Sequence, residues 1–269
     1  MRETFGDIDV YWTNGTGMPE NIRRVVMFVS TAPSPMPYIA GRALCGKRPQ
    51  NPLLYVAGKH TLRVPAIASS GELPTTGWYG YENGDNTLII QMGLQEVPLH
   101  TRTYEPNSNH WLFSYPLISS LVNMLYDKGI EEMLLITTTH RNKACGLKEQ
   151  AAGDLLVRDF DEIMAGKSPK DNPVAMSLPI WLAGWIFALN GGKAFVVAIG
   201  SPHDDMLNKE SMESIRRWLT ARSLKYNDAI AKDIAKDCET ASIEMTRAFN
   251  AYAEMQAEDG EGNSGVMFG

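Results

Sequence analysis

Residues 174–199 read VAMSLPIWLAGWIFALNGGKAFVVAI and carry the clearest structural signal in the chain. The first 16 of them, 174–189, hold no charged side chain. They predict a buried helix, with Trp181 and Trp185 in the core, because a membrane-spanning helix needs about 20 such residues. Gly191 and Gly192 mark its end, since glycine favours the position after a helix C-terminus. Residues 194–199 are all apolar and predict a strand buried on both faces of a sheet.

Strands and helices alternate along the rest of the chain in the same way. Short apolar runs between the first two long strands are separated by turns rich in glycine, serine and asparagine, which predict additional antiparallel strands. The alternation predicts an α/β sandwich around a largely parallel central sheet. The predicted long strands cover 24–30, 86–92, 132–138 and 194–199, the shorter ones 53–56, 61–67 and 78–81, and the helices 36–44, 117–128, 178–189 and 210–223.

A long C-terminal helix is predicted over residues 228–256. Apolar residues recur along it at alternating spacings of four and three, the heptad spacing of helices that pair along a seam. The helix either lies on the protein's own sheet or protrudes to pair with another subunit. The first explanation is favoured, because the seam mixes large residues with alanines. The seam consists of Ile234, Cys238, Ala241, Met245, Ala248, Tyr252 and Met255.

The chain ends in a polar, glycine-rich segment, residues 258–269, which read EDGEGNSGVMFG. Glycine and charge favour a disordered, extended segment, so we predict one α/β domain over residues 1–257 and a flexible tail after it. Met267 and Phe268 stand directly before the carboxylate of Gly269 and have no evident core to enter. They predict a docking motif for a pocket on another molecule. The competing interpretation is an ordinary frayed chain end.

Composition excludes several classes of partner. The chain has 25 lysines and arginines against 31 aspartates and glutamates, and the basic residues form no block. This argues against nucleic acid or an anionic membrane as the main partner. Cys45, Cys145 and Cys238 lie far apart without metal-ligand spacing, which is typical of reduced thiols in a cytoplasmic protein. Residues 1–7 lack the apolar run of a signal peptide.

An enzyme site is the alternative hypothesis. His140 and the triplet His203-Asp204-Asp205 follow predicted strands, and sites of open α/β sheets lie beyond the carboxyl ends of strands. These residues could bind a metal or act as acid and base. The simpler interpretation is that the histidines are loop residues and the aspartates lie near a helix N-terminus. The turn at residues 30–35 lacks the glycines of a phosphate-binding loop, and no cofactor is expected.

Several segments, taken in order, resemble the proteasome assembly chaperone family. The resemblance covers roughly residues 24–238 and rests on order and spacing together. The segments are Lys128-Gly129-Ile130-Glu131-Glu132 at the end of a helix, the strand Met133-Leu134-Leu135-Ile136, Thr137-Thr138-Thr139-His140, the helix 178–189, Gly191-Gly192-Lys193, the strand that runs to Gly200-Ser201-Pro202, Asp204, and the amphipathic helix 210–223.

The resemblance implies a three-layer α/β/α sandwich, related in architecture to nucleoside phosphorylases and used for protein contact rather than catalysis. It also implies a C-terminal motif of a hydrophobic residue, an aromatic residue and any residue, which enters pockets of the proteasome α-subunit ring. Met267, Phe268 and Gly269 match these positions, although Phe268 replaces the usual tyrosine and lacks its hydroxyl. One such tail binds weakly and several bind with avidity, so a homo-oligomer is expected.

Overall fold

The computed structural model describes residues 1–28, 36–45, 52–58, 78–84, 86–92, 110–139, 155–165, 178–200 and 208–240. They form nine strands and six helices. The strands are β1 Arg2–Phe5, β2 Ile8–Trp12, β3 Arg24–Phe28, β4 Leu54–Gly58, β5 Trp78–Asn83, β6 Thr87–Met92, β7 Glu132–Thr139, β8 Leu155–Asp159 and β9 Lys193–Gly200. The helices are α1 Met36–Cys45, α2 His110–Asp127, α3 Phe160–Met164, α4 Leu178–Leu189, α5 Lys209–Ala221 and α6, residues 228–240.

All nine strands belong to one mixed sheet in the order β1-β2-β4-β5-β6-β3-β7-β9-β8. The four strands β6, β3, β7 and β9 run parallel to their neighbours in this group. The other five neighbouring pairs are antiparallel. The expected parallel centre of the sheet is confirmed in β6, β3, β7 and β9, and the expected antiparallel strands in the turn-rich part are confirmed in β4 and β5. The antiparallel strands β1 and β2 are joined by only two residues, Gly6 and Asp7, whereas parallel strands need a long crossover.

Helices pack on both faces of the central strands. On β3, Val25 and Met27 face α2 and α4, whereas Val26 and Phe28 face α1 and α5. This alternation follows from the two-residue period of a strand. The result is the α/β class that the sequence predicts, with three layers. The implied relationship to nucleoside phosphorylases stays a prediction.

The helix ends that the sequence predicts are confirmed at two glycines. Gly129 ends the turn after α2 with a φ of 87°, and Gly191 follows α4 with a φ of 92°. Both angles favour glycine, because a side chain is strained there. Gly192 then donates its N–H to the carbonyl of Phe187 at 3.1 Å. Gly191 and Gly192 connect α4 directly to β9, as the sequence of residues 174–199 predicts.

Several element boundaries differ from the prediction. The hairpin β1–β2 and the edge strand β8 are absent from it, because short edge strands that carry charged residues lack a clear apolar pattern. The helix α2 begins at His110 and contains Pro116, whereas the prediction starts it after this proline. The predicted strand at 61–67 lies outside the described residues. No helix within the described residues is long and apolar enough to cross a membrane.

The C-terminal helix packs on another helix. Ala231 and Ile234 of α6 form a small buried cluster with Ile39 and Ala43 of α1, and Cys238 lies against it. The described part of the seam therefore packs on α1 of the same chain. The favoured explanation placed it on the sheet. Residues 241–269 lie outside the described part of the chain, so the full length of this helix and the flexible tail stay predictions.

Candidate functional site

The predicted docking residues Met267, Phe268 and Gly269 lie outside the described residues. The structure describes the helix that leads to them, α6, and the way this helix is attached. Its N-cap is Asn227, whose side-chain oxygen accepts hydrogen bonds from the N–H groups of Ala229 and Ile230, each at 3.1 Å. Such a cap satisfies donors that have no partner within the helix. The N–H of Asn227 itself donates to the carbonyl of Ala43 in α1 at 3.0 Å.

A buried asparagine fixes the segment before α6 to the sheet. Asn83, at the end of β5, donates through Nδ2 to the carbonyls of Leu44 and Lys225 at 3.0 and 3.2 Å. Its Oδ1 accepts from the N–H of Lys225 at 2.8 Å. One side chain thus joins β5, the end of α1 and the approach to α6. The base of α6 is therefore held on the body.

An open cleft of about 590 Å³ lies beside this base. Burial raises the pKa of the Cys45 thiol to about 12 and raises the pKa of Tyr226 above its ordinary value. Both groups are therefore uncharged near neutral pH, and the thiol is no nucleophile, since the thiolate is the reactive form. Cys45 and Cys238 are free thiols, as the sequence predicts. The cleft is lined by Ala43, Leu44, Cys45, Lys225, Tyr226, Asn227, Asp228, Ala229 and Ile230.

For the alternative enzyme site, the structure describes the strands that lead to it but not its candidate residues. His140, His203, Asp204 and Asp205 lie outside the described residues. The strands that precede them, β7 and β9, are parallel neighbours, with Thr139 opposite Gly200. The two chain positions from which these residues continue are therefore side by side at one edge of the sheet, about 5 Å apart.

Polar groups of the described residues surround this edge. Thr137 of β7 is buried, and its Oγ1 has no hydrogen-bond partner within the part of the chain that the structure describes. The hydroxyl of Ser211 donates to the carbonyl of Gly200 at 2.6 Å and holds α5 against the end of β9. The side chain of Asn208 accepts from the N–H of Ser211 and caps α5. The described residues contain no group of three histidines, cysteines, aspartates or glutamates that could hold a metal ion.

An aromatic row that the sequence analysis does not assign crosses three strands. Tyr11, Tyr55 and Tyr79 are opposite one another on β2, β4 and β5. Their ring centroids are 5.8 and 5.2 Å apart, and the guanidinium of Arg2 lies 5.7 Å from the Tyr11 centroid. Tyr11 is exposed and the other two rings are half-buried. Alternation in a strand could reveal each tyrosine, but their alignment needs the strand register.

The outer face of α4 is a second surface that sequence reasoning misses. The sequence predicts that both tryptophans of this apolar helix, Trp181 and Trp185, lie in the core. Trp181 lies outside the residues whose side chains are described. Trp185 is 49% exposed and Leu189 is 67% exposed. The prediction of a wholly buried helix is therefore wrong for this face. Hydrophobicity alone cannot show it, because every face of α4 is apolar.

No protein-family model matches the sequence, and no match is found among the curated proteins. Solved structures do match over most of the chain. PbaB of Pyrococcus furiosus, described as an archaeal proteasome activator, matches with a TM-score of 0.61 and 11% identity, covering 90% of this chain and 99% of that chain. PbaA of the same organism, described as an archaeal homologue of proteasome-assembly chaperone, matches with a TM-score of 0.55 and 12% identity, covering 94% and 99%.

A Mycobacterium tuberculosis protein of unknown function matches with a TM-score of 0.51 and 11% identity, covering 95% of this chain and 90% of that chain. At such identities the likeness establishes a shared fold. Structures similar to this chain include proteasome-assembly chaperone homologues, so the resemblance seen in the sequence is confirmed at the level of the fold.

Proposed function

We propose that this protein is a cytoplasmic, non-catalytic proteasome assembly chaperone or adaptor of the proteasome assembly chaperone family. In this proposal its C-terminal residues Met267-Phe268-Gly269 dock into pockets of the proteasome α-subunit ring. The observation that carries the proposal is the fold shared with PbaA and PbaB over 90% or more of the chain. The C-terminal motif is a separate support, because it depends on the chemistry of three residues and not on the fold.

The contacts of the tail follow from its chemistry. Phe268 would bury its ring in an apolar pocket, Met267 would fill an adjacent groove with its adaptable thioether, and the Gly269 carboxylate would pair with a lysine. Burial of the two apolar side chains contributes roughly 3 to 6 kcal/mol before the cost of ordering the tail. This is too little for tight binding by one tail. A homo-oligomer that presents several tails to one ring would bind more tightly through effective concentration.

The support of the tail suits this role. Asn83 and Asn227 fix the base of α6, and 29 residues follow the described end of this helix. Residues 258–269, when fully extended, span about 40 Å at most. In this proposal, α6 is fixed at its base and is followed by a long flexible segment. This segment would hold the docking motif away from the body while keeping its local concentration high.

The decisive experiment compares the full-length protein with a variant that lacks residues 267–269, each mixed with proteasome α rings and analysed by native mass spectrometry. We expect ring binding to disappear with the three residues. Phe268→Ala should weaken binding strongly, and Phe268→Tyr should strengthen it through the added hydroxyl. Ser264→Ala, in the same tail, is the matched control and should bind like the wild type. Binding that persists without the motif would place the contact on the body, and the absence of binding by the full chain would refute the ring proposal.

The strand-end enzyme remains the second candidate because Thr139 and Gly200 are opposite each other. A phosphorylase-like enzyme or metal-dependent hydrolase at His140, His203, Asp204 and Asp205 would keep its activity without the tail. Metal uptake and phosphorolysis of nucleosides are therefore measured on the tail-less variant and on His140→Ala and His203→Ala. Turnover that the tail-less protein retains and either histidine substitution abolishes would favour the enzyme.

A further inference from the structure

Three asparagines of the chain directly precede a glycine, and this pair of residues has a chemistry of its own. The pairs are Asn14-Gly15, Asn83-Gly84 and Asn190-Gly191. The backbone nitrogen after an asparagine can attack the carbon of its side-chain amide and close a succinimide ring. Glycine favours this step, because it has no side chain and reaches backbone conformations that other residues resist. The pairs therefore share one reactivity, and their surroundings distinguish them.

The fold protects Asn83 by burial. Asn83 is 5% exposed, and its side chain makes three hydrogen bonds with the backbone of Leu44 and Lys225. Ring closure would have to break these contacts before it formed the new bond. The region would first have to open locally, and packed regions open rarely.

Asn190 is exposed, but the nitrogen that would attack it is held in place. The N–H of Gly191 donates to the carbonyl of Ala188 at 2.9 Å, within the turn that ends α4. The amide of Asn190 is also engaged, since its Nδ2 donates to Oδ1 of Asn123 at 2.8 Å. The attacking nitrogen must leave its hydrogen bond before it can react, so the turn lowers the reactivity of this pair.

Asn14 is exposed, and the nitrogen that follows it is held only weakly. The nitrogen of Gly15 lies 3.4 Å from the carbonyl oxygen of Trp12, which is long for a hydrogen bond. Gly15 has a φ of 75°, and among the described residues no heavy atom beyond its chain neighbours lies within 4 Å of the position of a Cβ. The peptide group of Gly15 therefore has room to turn.

The side chain of Asn14 folds back over this peptide group. Its Oδ1 accepts hydrogen bonds from the N–H groups of Thr16 and Gly17 at 3.1 and 3.3 Å, and its Nδ2 donates to the carbonyl of Gly17 at 2.9 Å. The amide carbon is thus held on the side of the nitrogen that attacks it, and such proximity favours reaction. The two N–H groups also face the oxygen on which negative charge develops, as donors do in an oxyanion hole.

We propose that Asn14 is a site of spontaneous covalent modification, whereas the fold protects Asn83 and Asn190. The nitrogen of Gly15 forms a bond to Cγ of Asn14, the bond from Cγ to Nδ2 breaks, and ammonia leaves with the proton of the Gly15 N–H. Water then opens the succinimide at either of its carbonyl carbons and yields aspartate or isoaspartate. Water is the co-reactant, and the inference does not depend on the proposed function.

The isoaspartate product changes the main chain as well as the side chain. It adds a methylene group to the backbone at residue 14, so the present hydrogen bonds to Thr16 and Gly17 cannot keep their geometry. Residue 14 lies just beyond β2, where Thr13 donates its N–H to the carbonyl of Leu53 at 3.0 Å. The modified turn should therefore loosen the end of β2 and add a negative charge to the surface.

The first test follows every Asn-Gly pair in the folded full-length protein during incubation at mildly alkaline pH. Peptide mapping by mass spectrometry measures the mass gain that accompanies replacement of the amide NH2 by OH. We expect Asn14 to convert on the order of 10-fold faster than Asn190, the factor that corresponds to the release of one hydrogen bond. Asn83 should stay unconverted. Conversion of Asn14 no faster than that of Asn190 would overturn the inference.

The denatured protein is the internal control for this comparison. Without the fold, all the pairs should convert at similar rates, because each asparagine is followed by glycine. A difference that appears only in the folded protein is then an effect of the structure. An equally large preference for Asn14 in the denatured chain would assign the effect to local sequence and contradict the role given to the turn.

Variants of the turn test the chemistry. Asn14→Gln should show no conversion at this position, because the longer side chain would have to close a larger ring. Thr16→Pro removes an N–H that donates to Oδ1 and should slow the conversion of Asn14 several-fold, whereas Thr16→Ser keeps it and should convert like the wild type. Faster conversion in Thr16→Pro would show that the hydrogen bonds of the turn protect the amide, and the proposal would be wrong.

The structural consequence is measured on the modified protein, which ion exchange separates by its added charge. Amide hydrogen exchange should be faster over residues 11–18 than in fresh protein. Asn14→Asp is the matched control, because it adds the same charge but leaves the main chain unaltered, and it should exchange almost like the wild type. Equal exchange in the fresh and modified proteins would contradict the expected loosening of β2.

Discussion

At the scale of single residues, one carboxylate joins the N-terminal hairpin to the helix layer. Glu3 of β1 accepts a hydrogen bond from Nζ of Lys128 at 3.1 Å and one from Nε1 of Trp12 at 2.9 Å. Lys128 follows α2, so the contact spans 125 positions of the chain. The hydrogen bond from Lys128 is the main reason why the pKa of Glu3 lies below its ordinary value. The hairpin is thereby attached to the body by a contact that depends on pH.

The replacement Glu3→Gln should lower the melting temperature at pH 7 by about 1 to 2 °C, the size of effect typical of a partly exposed ion pair. The folded pKa of Glu3 is lowered from 4.5, so its contribution is fully present above pH 4.5 and is lost as the pH falls through the folded value. Thermal melts of both proteins at pH 7 and below pH 4 check this, and the difference between them should shrink in acid. Glu131→Gln is the control, because the side chain of Glu131 is mostly exposed and its Oε1 lies 3.5 Å from Nε of Arg23. An equal difference at both pH values would contradict the prediction.

At the scale of elements, α6 is held by polar contacts at its base and by apolar contacts with α1. Asn83 is the centre of the polar contacts, since it satisfies two carbonyls and one N–H group at once. Ala231 and Ile234 supply the apolar contacts. The two kinds of contact have different roles: the apolar cluster contributes stability, and the asparagine fixes where the helix starts.

Asn83→Ala should lower the free energy of unfolding by about 3 kcal/mol, because it leaves buried backbone groups without partners. Amide hydrogen exchange followed by mass spectrometry should show faster exchange over residues 225–240 than in the wild type, with β7 and β9 little changed. Asn123→Ala, on the exposed side of α2, is the matched control and should change neither quantity by a comparable amount. Unchanged exchange over 225–240 would mean that the apolar cluster alone holds the helix.

The elements differ in how well the sequence predicts them. The helices α1, α4 and α5 and the strands β3, β6, β7 and β9 come within one or two residues of their predicted bounds. Each is a continuous apolar or amphipathic run of residues. The strands β1, β2 and β8 are absent from the prediction because each has only four or five residues and mixes charged with apolar residues. The start of α2 is misplaced because proline usually marks the first turn of a helix.

At the scale of the whole molecule, we propose that the body and the tail are independent units that divide near residue 257. The described elements form one sheet with helices on both faces. In such a division the body provides stability and the tail provides binding. A mutation can then alter one function without the other.

Removal of residues 258–269 should leave the melting temperature within about 1 °C of the wild type, because a disordered segment buries no apolar surface. The same truncation should abolish ring binding. Differential scanning calorimetry and native mass spectrometry on one sample check both expectations. A large fall in melting temperature would show that the tail packs on the body, and the division at residue 257 would then be wrong.

The sequence by itself determined the α/β class and the helix and strand runs of the centre, and it predicts Met267-Phe268-Gly269 as the docking motif. Each of these depends on residues near one another in the chain, through apolar periodicity, glycine at helix ends or a free carboxylate beside an aromatic residue. The candidate strand-end residues could be named in the same way. That their two strands end side by side, with Thr139 opposite Gly200, follows from the strand pairing in the structure.

Only the tertiary structure decided the strand order, the added strands β1, β2 and β8, the aromatic row on β2, β4 and β5, and the exposed side of α4. It also assigned to Asn83 its role beside Lys225, which is 142 positions away. These features depend on which distant segments come into contact. A local pattern specifies that a residue is apolar or polar, but the partner that covers it is chosen by the packing of the whole chain.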